Sequence, residues 1–106
     1  MDTELYDKIA EAELQHLERT LGAIDPDELE VDFSQGVLTL ELSDGEKVVV
    51  NSHRAAGEIW MAAFRQAWHF GPHEEGGRWV WRTATDELRA KLREVLSKKL
   101  GRPVEV

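Results

Sequence analysis

Between Glu28 and Asn51, one strictly alternating run and two further short apolar-rich runs are joined by connections too brief for a crossover, and this spacing limits the fold more than any other feature. Glu28–Phe33 places Leu29, Val31 and Phe33 on one face and Glu28, Glu30 and Asp32 on the other, the period-two signature of a half-buried strand. Ser34–Gly36 separates it from Val37–Leu42, and Ser43–Glu46 separates that run from Lys47–Asn51. Connections of this length make hairpins, whereas parallel pairing needs a crossover of roughly a dozen residues. An antiparallel meander is therefore predicted. Aromatic or β-branched runs at Ile59–Phe64 and Arg78–Thr83, a shorter one around Trp68–Phe70 and a Gly-rich turn at Glu74–Gly77 bring the expectation to five or six strands.

Helical periodicity brackets this region. Tyr6, Ile9, Ala10, Leu14, Leu17 and Leu21 recur at helical spacing, with Gly22 placed to end the run. Leu88, Leu92, Val95, Leu96 and Leu100 form a second stripe, with Thr85 as the expected cap and Gly101 then Pro103 as the stop. An antiparallel sheet can leave one face in water, so both helices are expected on one face of the sheet. The predicted fold is α+β, a two-layer α/β sandwich in a single domain spanning residues 1–106, its other sheet face open. A chain of this length, 42% hydrophobic and 32% charged, buries a core without staples.

Charge is distributed unevenly along the chain. Met1–Asp32 holds eleven of the 21 acidic residues and two of the 13 Lys and Arg, a net charge of −9, and the remainder is +1, giving the total of −8. A one-sided field costs self-repulsion and attracts cations and basic partners to one place. Phosphate backbones would be repelled, so nucleic acid is not an expected partner. With no cysteine there is no disulfide, thiolate nucleophile or cysteine-held cluster. The opening MDTELYDK is acidic where a secretory signal is basic, and no apolar run approaches the roughly 18 residues of a membrane span. A soluble, cytoplasmic, membrane-independent protein is expected.

Glu4, Glu11 and Glu18 are spaced by sevens with Asp7 beside them, which stacks them along one side of the first helix. Were the Glu28–Phe33 strand at the sheet edge next to that helix, Glu28, Glu30 and Asp32 would extend the stripe into one carboxylate ridge. A plain solvated acidic face is the competing reading. Carboxylate oxygens suit hard cations such as Fe³⁺, Ca²⁺ or Mn²⁺, and borderline Fe²⁺, held weakly and open to solvent. The histidines, His16, His53, His69 and His73, share no helix-face spacing, and HExxH, GxSxG and phosphate-binding Gly loops are missing. His73–Glu74–Glu75 reads as an exposed hairpin loop. Catalysis is not expected. Alternation in Ile59–Trp60–Met61 sets Trp60 on the face opposite its neighbours, and only one of those faces can meet the helices. Large aromatics are mostly buried, while an exposed Trp on an open sheet would be an interaction anchor.

Gly36–Val37–Leu38–Thr39–Leu40, Asp44–Gly45, Val50–Asn51, Ile59–Trp60–Met61–Ala62–Ala63, His69–Phe70 and Trp79–Val80 resemble, in this order, the frataxin family in its bacterial CyaY branch. The resemblance spans nearly the whole chain. It implies a helix–sheet–helix fold and a non-enzymatic role in iron–sulfur cluster assembly. In that role iron, Fe²⁺ or Fe³⁺, binds weakly to surface carboxylates, and a cysteine desulfurase and a scaffold protein are the partners. It places Glu11, Glu18, Asp25, Asp27, Glu28, Glu30 and Asp32 in or beside the family's acidic ridge, Glu4 and Asp7 extending it along the helix. Asn51 and Trp60 match the family's exposed sheet patch, so Trp60 is expected on the open face. Partner contacts are expected from Glu18, Glu30, Asp32, Asn51, His53 and Trp60, by a monomer that metal could oligomerise. The chain departs from the family pattern at Gly22 and Ala23, where acids are common, at His53 and Glu58, where Gln is usual, at Ala55 for Pro, and at Gln66–Ala67 for a Gly pair. A metal-independent acidic interaction domain and an iron oxidase are the alternative functions.

Overall fold

Burial of one apolar stripe orients everything else in the computed structural model, which describes all residues Met1–Val106. Helix α1, Thr3–Leu21, starts where the Asp2 carboxylate accepts from the Glu4 amide at 3.2 Å, an N-cap that satisfies one of the free amides of the first turn. Its buried residues are Tyr6, Ile9, Ala10, Leu14, Leu17 and Leu21, as the periodicity predicts, together with Glu13. Gly22 ends the helix by close approach, without a left-handed turn. Its φ is −67°, its amide bonds the Glu18 carbonyl, and a Cβ there would lie 2.6 Å from that oxygen.

Six antiparallel strands follow in the order of the chain: β1 Leu29–Ser34, β2 Val37–Leu42, β3 Lys47–His53, β4 Glu58–Ala63, β5 Gln66–Glu75 and β6 Arg78–Arg82. One turn of 3₁₀ helix, Arg54–Ala56, links β3 to β4. Helix α2, Leu88–Leu100, closes the chain, and Gly101 beyond it adopts φ 72°, the left-handed cap expected of that glycine. Helix α1 packs over β1 and β3 and α2 over β6. Leu38, Leu40, Val48, Val50, Ile59, Met61 and Phe70 point from the sheet into one cluster with both helices. The ring of Tyr6 meets Trp81 edge-on at 6.1 Å inside it. Val104, just past α2, folds back into the same cluster, its amide bonded to Ser97 Oγ at 3.1 Å.

Three local expectations are corrected. The short run at Trp68–Phe70 belongs to a ten-residue strand, so His73, Glu74 and Glu75 are not in a loop and the turn is Gly76–Gly77 alone. Residues 66–70 pair with β4 and residues 71–75 with β6. Pro72 is tolerated because it lies past the end of the β4 pairing, where the strand has a neighbour on one side only. The cap of α2 is Glu87, whose carboxylate accepts from the Arg89 and Ala90 amides, while Thr85 sits in the preceding turn. Finally, the run expected over Ile59–Phe64 stops at Ala63, because Phe64 and Arg65, with φ of 49° and 66°, form the tight turn into β5. Two non-glycine residues in the left-handed region strain the backbone by about 1–2 kcal/mol each.

One ion pair joins the helices from inside. Glu13, 6% exposed, accepts two hydrogen bonds from the Arg89 guanidinium, at 2.8 and 2.9 Å. This bidentate geometry is the strong form of the carboxylate–Arg interaction. Removing one partner strands a buried charge, whereas replacing both with apolar groups does not. Arg89→Ala is therefore expected to lower stability by about 2–4 kcal/mol, the upper part of the range discounted because Arg89 stays partly exposed. The double change Glu13→Leu with Arg89→Met should recover most of it, as measured by urea unfolding.

His16 lies beside this pair with Nε2 buried and unbonded. Burial, and then the positive Arg89, push its imidazole below the ordinary value, with Glu13 pulling the other way. The folded chain thus resists a proton that the unfolded chain accepts. Its contribution is complete above about pH 6.5 and is lost as the pH falls below that value. In urea unfolding between about pH 6.5 and 5, His16→Gln should show a shallower fall in stability than the parent.

Candidate functional site

Strand β1 is an edge strand beside α1, the placement on which a continuous ridge depends. Its alternation then separates the acids. Leu29 is buried under the helices, so Glu30 and Asp32 project, exposed, from the opposite sheet face. Glu4, Glu11 and Glu18 are exposed on α1, and Asp25 and Asp27 lie in the turn between, where Asp25 Oδ1 accepts from the Asp27 amide at 2.9 Å. Two of the expected metal ligands are engaged elsewhere. Asp7 holds Arg54 through two hydrogen bonds, at 3.0 and 3.2 Å, and Glu28 is paired with Arg102. No three carboxylates or imidazoles come close enough to form a chelating group. The acids share an edge and a field without converging on one point.

Glu41 is a member of this surface that the sequence reading overlooked. It stands directly across from Glu30 in the β1–β2 ladder, and both line a shallow cleft of about 300 Å³ with Asp27. Like charges facing one another across strands repel, and a cation between them would relieve that repulsion. The signal was present in the hairpin: a two-residue Gln35–Gly36 turn fixes Ser34 opposite Val37, and counting back four residues on one strand and forward four on the other pairs 30 with 41.

The second surface is the uncovered face of β3, β4 and β5. Ile59 and Met61 are buried, at 0% and 1% exposure, and Trp60 points the other way, as expected. It is half-buried rather than free, because neighbouring rings cover it. His53 stacks on one side of the indole, with centroids 3.7 Å apart and planes at 14°, and His69 on the other, at 4.0 Å and 10°. The ladder dictates this. Trp60 lies opposite Asn51 on β3 and His69 on β5, and His53, two residues beyond Asn51, shares their face. The indole Nε1–H donates to Glu58 Oε1 at 2.9 Å, and Asn51 donates to the Ser52 carbonyl at 3.2 Å. Beneath the patch Tyr6 donates to the Glu58 carbonyl at 2.7 Å; burial raises its phenol above the ordinary value. The patch therefore brings Asn51, His53 and Trp60 together, with His69 and Glu58 added, while Glu18, Glu30 and Asp32 lie toward the α1–β1 edge.

Residues 1–102 match the family model of the frataxin-like domain. The chain is 37% identical over 95 residues to the iron-sulfur cluster assembly protein CyaY of Ralstonia nicotianae, covering 86% of this chain and 81% of that one. It is 38% identical over 97 residues to the CyaY of Paraburkholderia phymatum, with coverages of 92% and 90%. For the CyaY of Dechloromonas aromatica the identity is 35% over 112 residues, with coverages of 98% and 97%. The solved frataxin of Psychromonas ingrahamii superposes with a TM-score of 0.82 over 99% of this chain and 97% of its own, at 20% identity, and so shares its fold.

The two faces of the sheet should respond differently to truncation. Trp81→Ala removes a 1%-exposed core ring and is expected to cost about 3–5 kcal/mol. Trp60→Ala loses only ring stacking and partial burial, about 1 kcal/mol. Parallel guanidinium titrations of the two variants measure the difference.

Proposed function

Since this chain belongs to the frataxin-like family of CyaY proteins, we infer that it acts in iron–sulfur cluster assembly as a non-catalytic docking protein. The observation that carries this reading is a two-part surface: an acidic edge set by Glu18, Glu30 and Asp32, and an uncovered sheet face carrying Asn51, His53 and Trp60. An acidic field steers a basic partner to the edge and an aromatic group anchors it on the sheet. The partner this suits is a cysteine desulfurase with a basic surface, acting with its scaffold protein. The cytoplasm is the proposed compartment.

Iron in this reading is cargo. The oxygen donors Asp27, Glu30, Asp32 and Glu41 suit a hard cation, and their spread along an edge suits weak, solvent-open binding. Because the acids do not converge, docking that needs no metal has support of its own, and a chelator separates it from iron-dependent docking. In the first case binding to the desulfurase survives chelation; in the second it does not.

Two measurements test these claims. Titration with a diamagnetic trivalent ion, followed by NMR, should move Glu30, Asp32 and Glu41 first; shifts confined to His69 and His73 would refute the edge as the metal surface. Charge reversal of Glu18, Glu30 and Asp32 to Lys should slow association with the desulfurase complex by at least tenfold at low salt, with most of the loss in the on-rate. Unaltered association of this triple variant would reduce the acidic edge to a solvated face.

A further inference from the structure

We propose that His53 and His69 are positioning residues that clamp Trp60 upright on the open sheet, so that a partner meets a pre-set ring edge. The proposal rests on the docking reading above, adds His69 to it and gives His53 a positioning role. Every other capacity of the indole is used internally. Its faces are covered at 3.7 and 4.0 Å by the two imidazoles, and its N–H is held by Glu58 at 2.9 Å. A partner therefore receives neither a stacking face nor an indole hydrogen bond from Trp60. What it meets is a row of three parallel ring edges, one indole between two imidazoles.

The position of His53 supports the clamp. Its Nδ1 is buried without a hydrogen-bond partner, a desolvation that favours leaving the site. Its side chain makes no hydrogen bond that would offset this within the fold, so ring stacking is the contact that holds it there. His69 faces Trp60 directly across the β4–β5 ladder and closes the other side. A side chain already held in one rotamer loses less freedom on docking than a free one. The clamp thus converts an exposed aromatic, which would otherwise sample several rotamers, into a rigid anchor.

The test uses Ser and Phe at both positions of the full chain. Serine removes the stack and phenylalanine keeps a flat ring. The order parameter of the Trp60 indole N–H, assigned with Trp60→Phe, reads the clamp itself, and affinity for the cysteine desulfurase–scaffold complex reads its use. Both Ser variants should keep the melting temperature within about 4 °C of the parent. They should lower the indole order parameter and weaken binding by about threefold to tenfold, the size of one side chain's ordering cost. His53→Phe and His69→Phe should restore both readouts. An unchanged order parameter in the Ser variants overturns the clamp. Affinity lost in the Ser variants and not regained with Phe overturns it too, since imidazole nitrogens bonded to the partner, and not the stacked rings, would then carry the binding. If Trp60→Ala binds as well as the parent, the docking reading itself fails, and the order parameter alone decides whether the clamp exists.

Discussion

Everything on the functional surface follows from the sheet being buried on one side only. Ile59, Met61, Val48, Val50, Leu38 and Leu40 form the floor of a single core beneath two helices. Because side chains alternate along a strand, burying that set forces the intervening residues onto the opposite face, and slipping one strand by a single residue would exchange the two. Trp60 is held out of the core by the burial of its neighbours. The same parity aims Glu30 and Asp32 away from α1, by virtue of Leu29 beneath the helices.

Charge is organised in two layers on this frame. Helix α1, which carries more acid than any other element, also contributes Glu13, which is spent inside the protein on Arg89 and links α1 to α2. Asp7 and Glu28 each take up a base from a distant segment, Arg54 and Arg102. These pairs reduce the self-repulsion that a net −9 would impose on its own segment. The remaining acids of the first third stay exposed and outside any ion pair, and these are the ones proposed to meet ions and partners. Only a few of the acidic residues are functional candidates, and burial and pairing select them.

The two candidate surfaces also differ in stiffness. The acidic edge is open carboxylate with no shared focus, suited to steering and to loose cations. The aromatic patch is the reverse: three rings, each stacked within about 4 Å of the next, tied to the ladder and to Glu58. A complex assembled from both would form quickly through the first and be held by the second.

The order of helices and strands, the antiparallel pairing, and the opposition of Trp60 to Ile59 and Met61 were all legible in the chain, because each rests on a short period or a short connection. The same is true of the acidic first third and of the resemblance carried by Gly36–Leu40 and Ile59–Ala63. Contacts between residues far apart were not legible. Glu13 with Arg89, separated by 76 positions, looked like any other helical acid. The register that sets Glu30 against Glu41 could have been counted from the hairpin, but which acids escape neutralisation could not, since Arg54 and Arg102 reach Asp7 and Glu28 only once the helices are docked. Spacing gave His53 and His69 nothing in common; they meet because β3 and β5 flank β4, and the alternation of all three strands brings their rings onto one indole. Period and composition are local properties, and they determined the elements and their faces. Pairing depends on which faces come to lie side by side, and tertiary packing alone decided that.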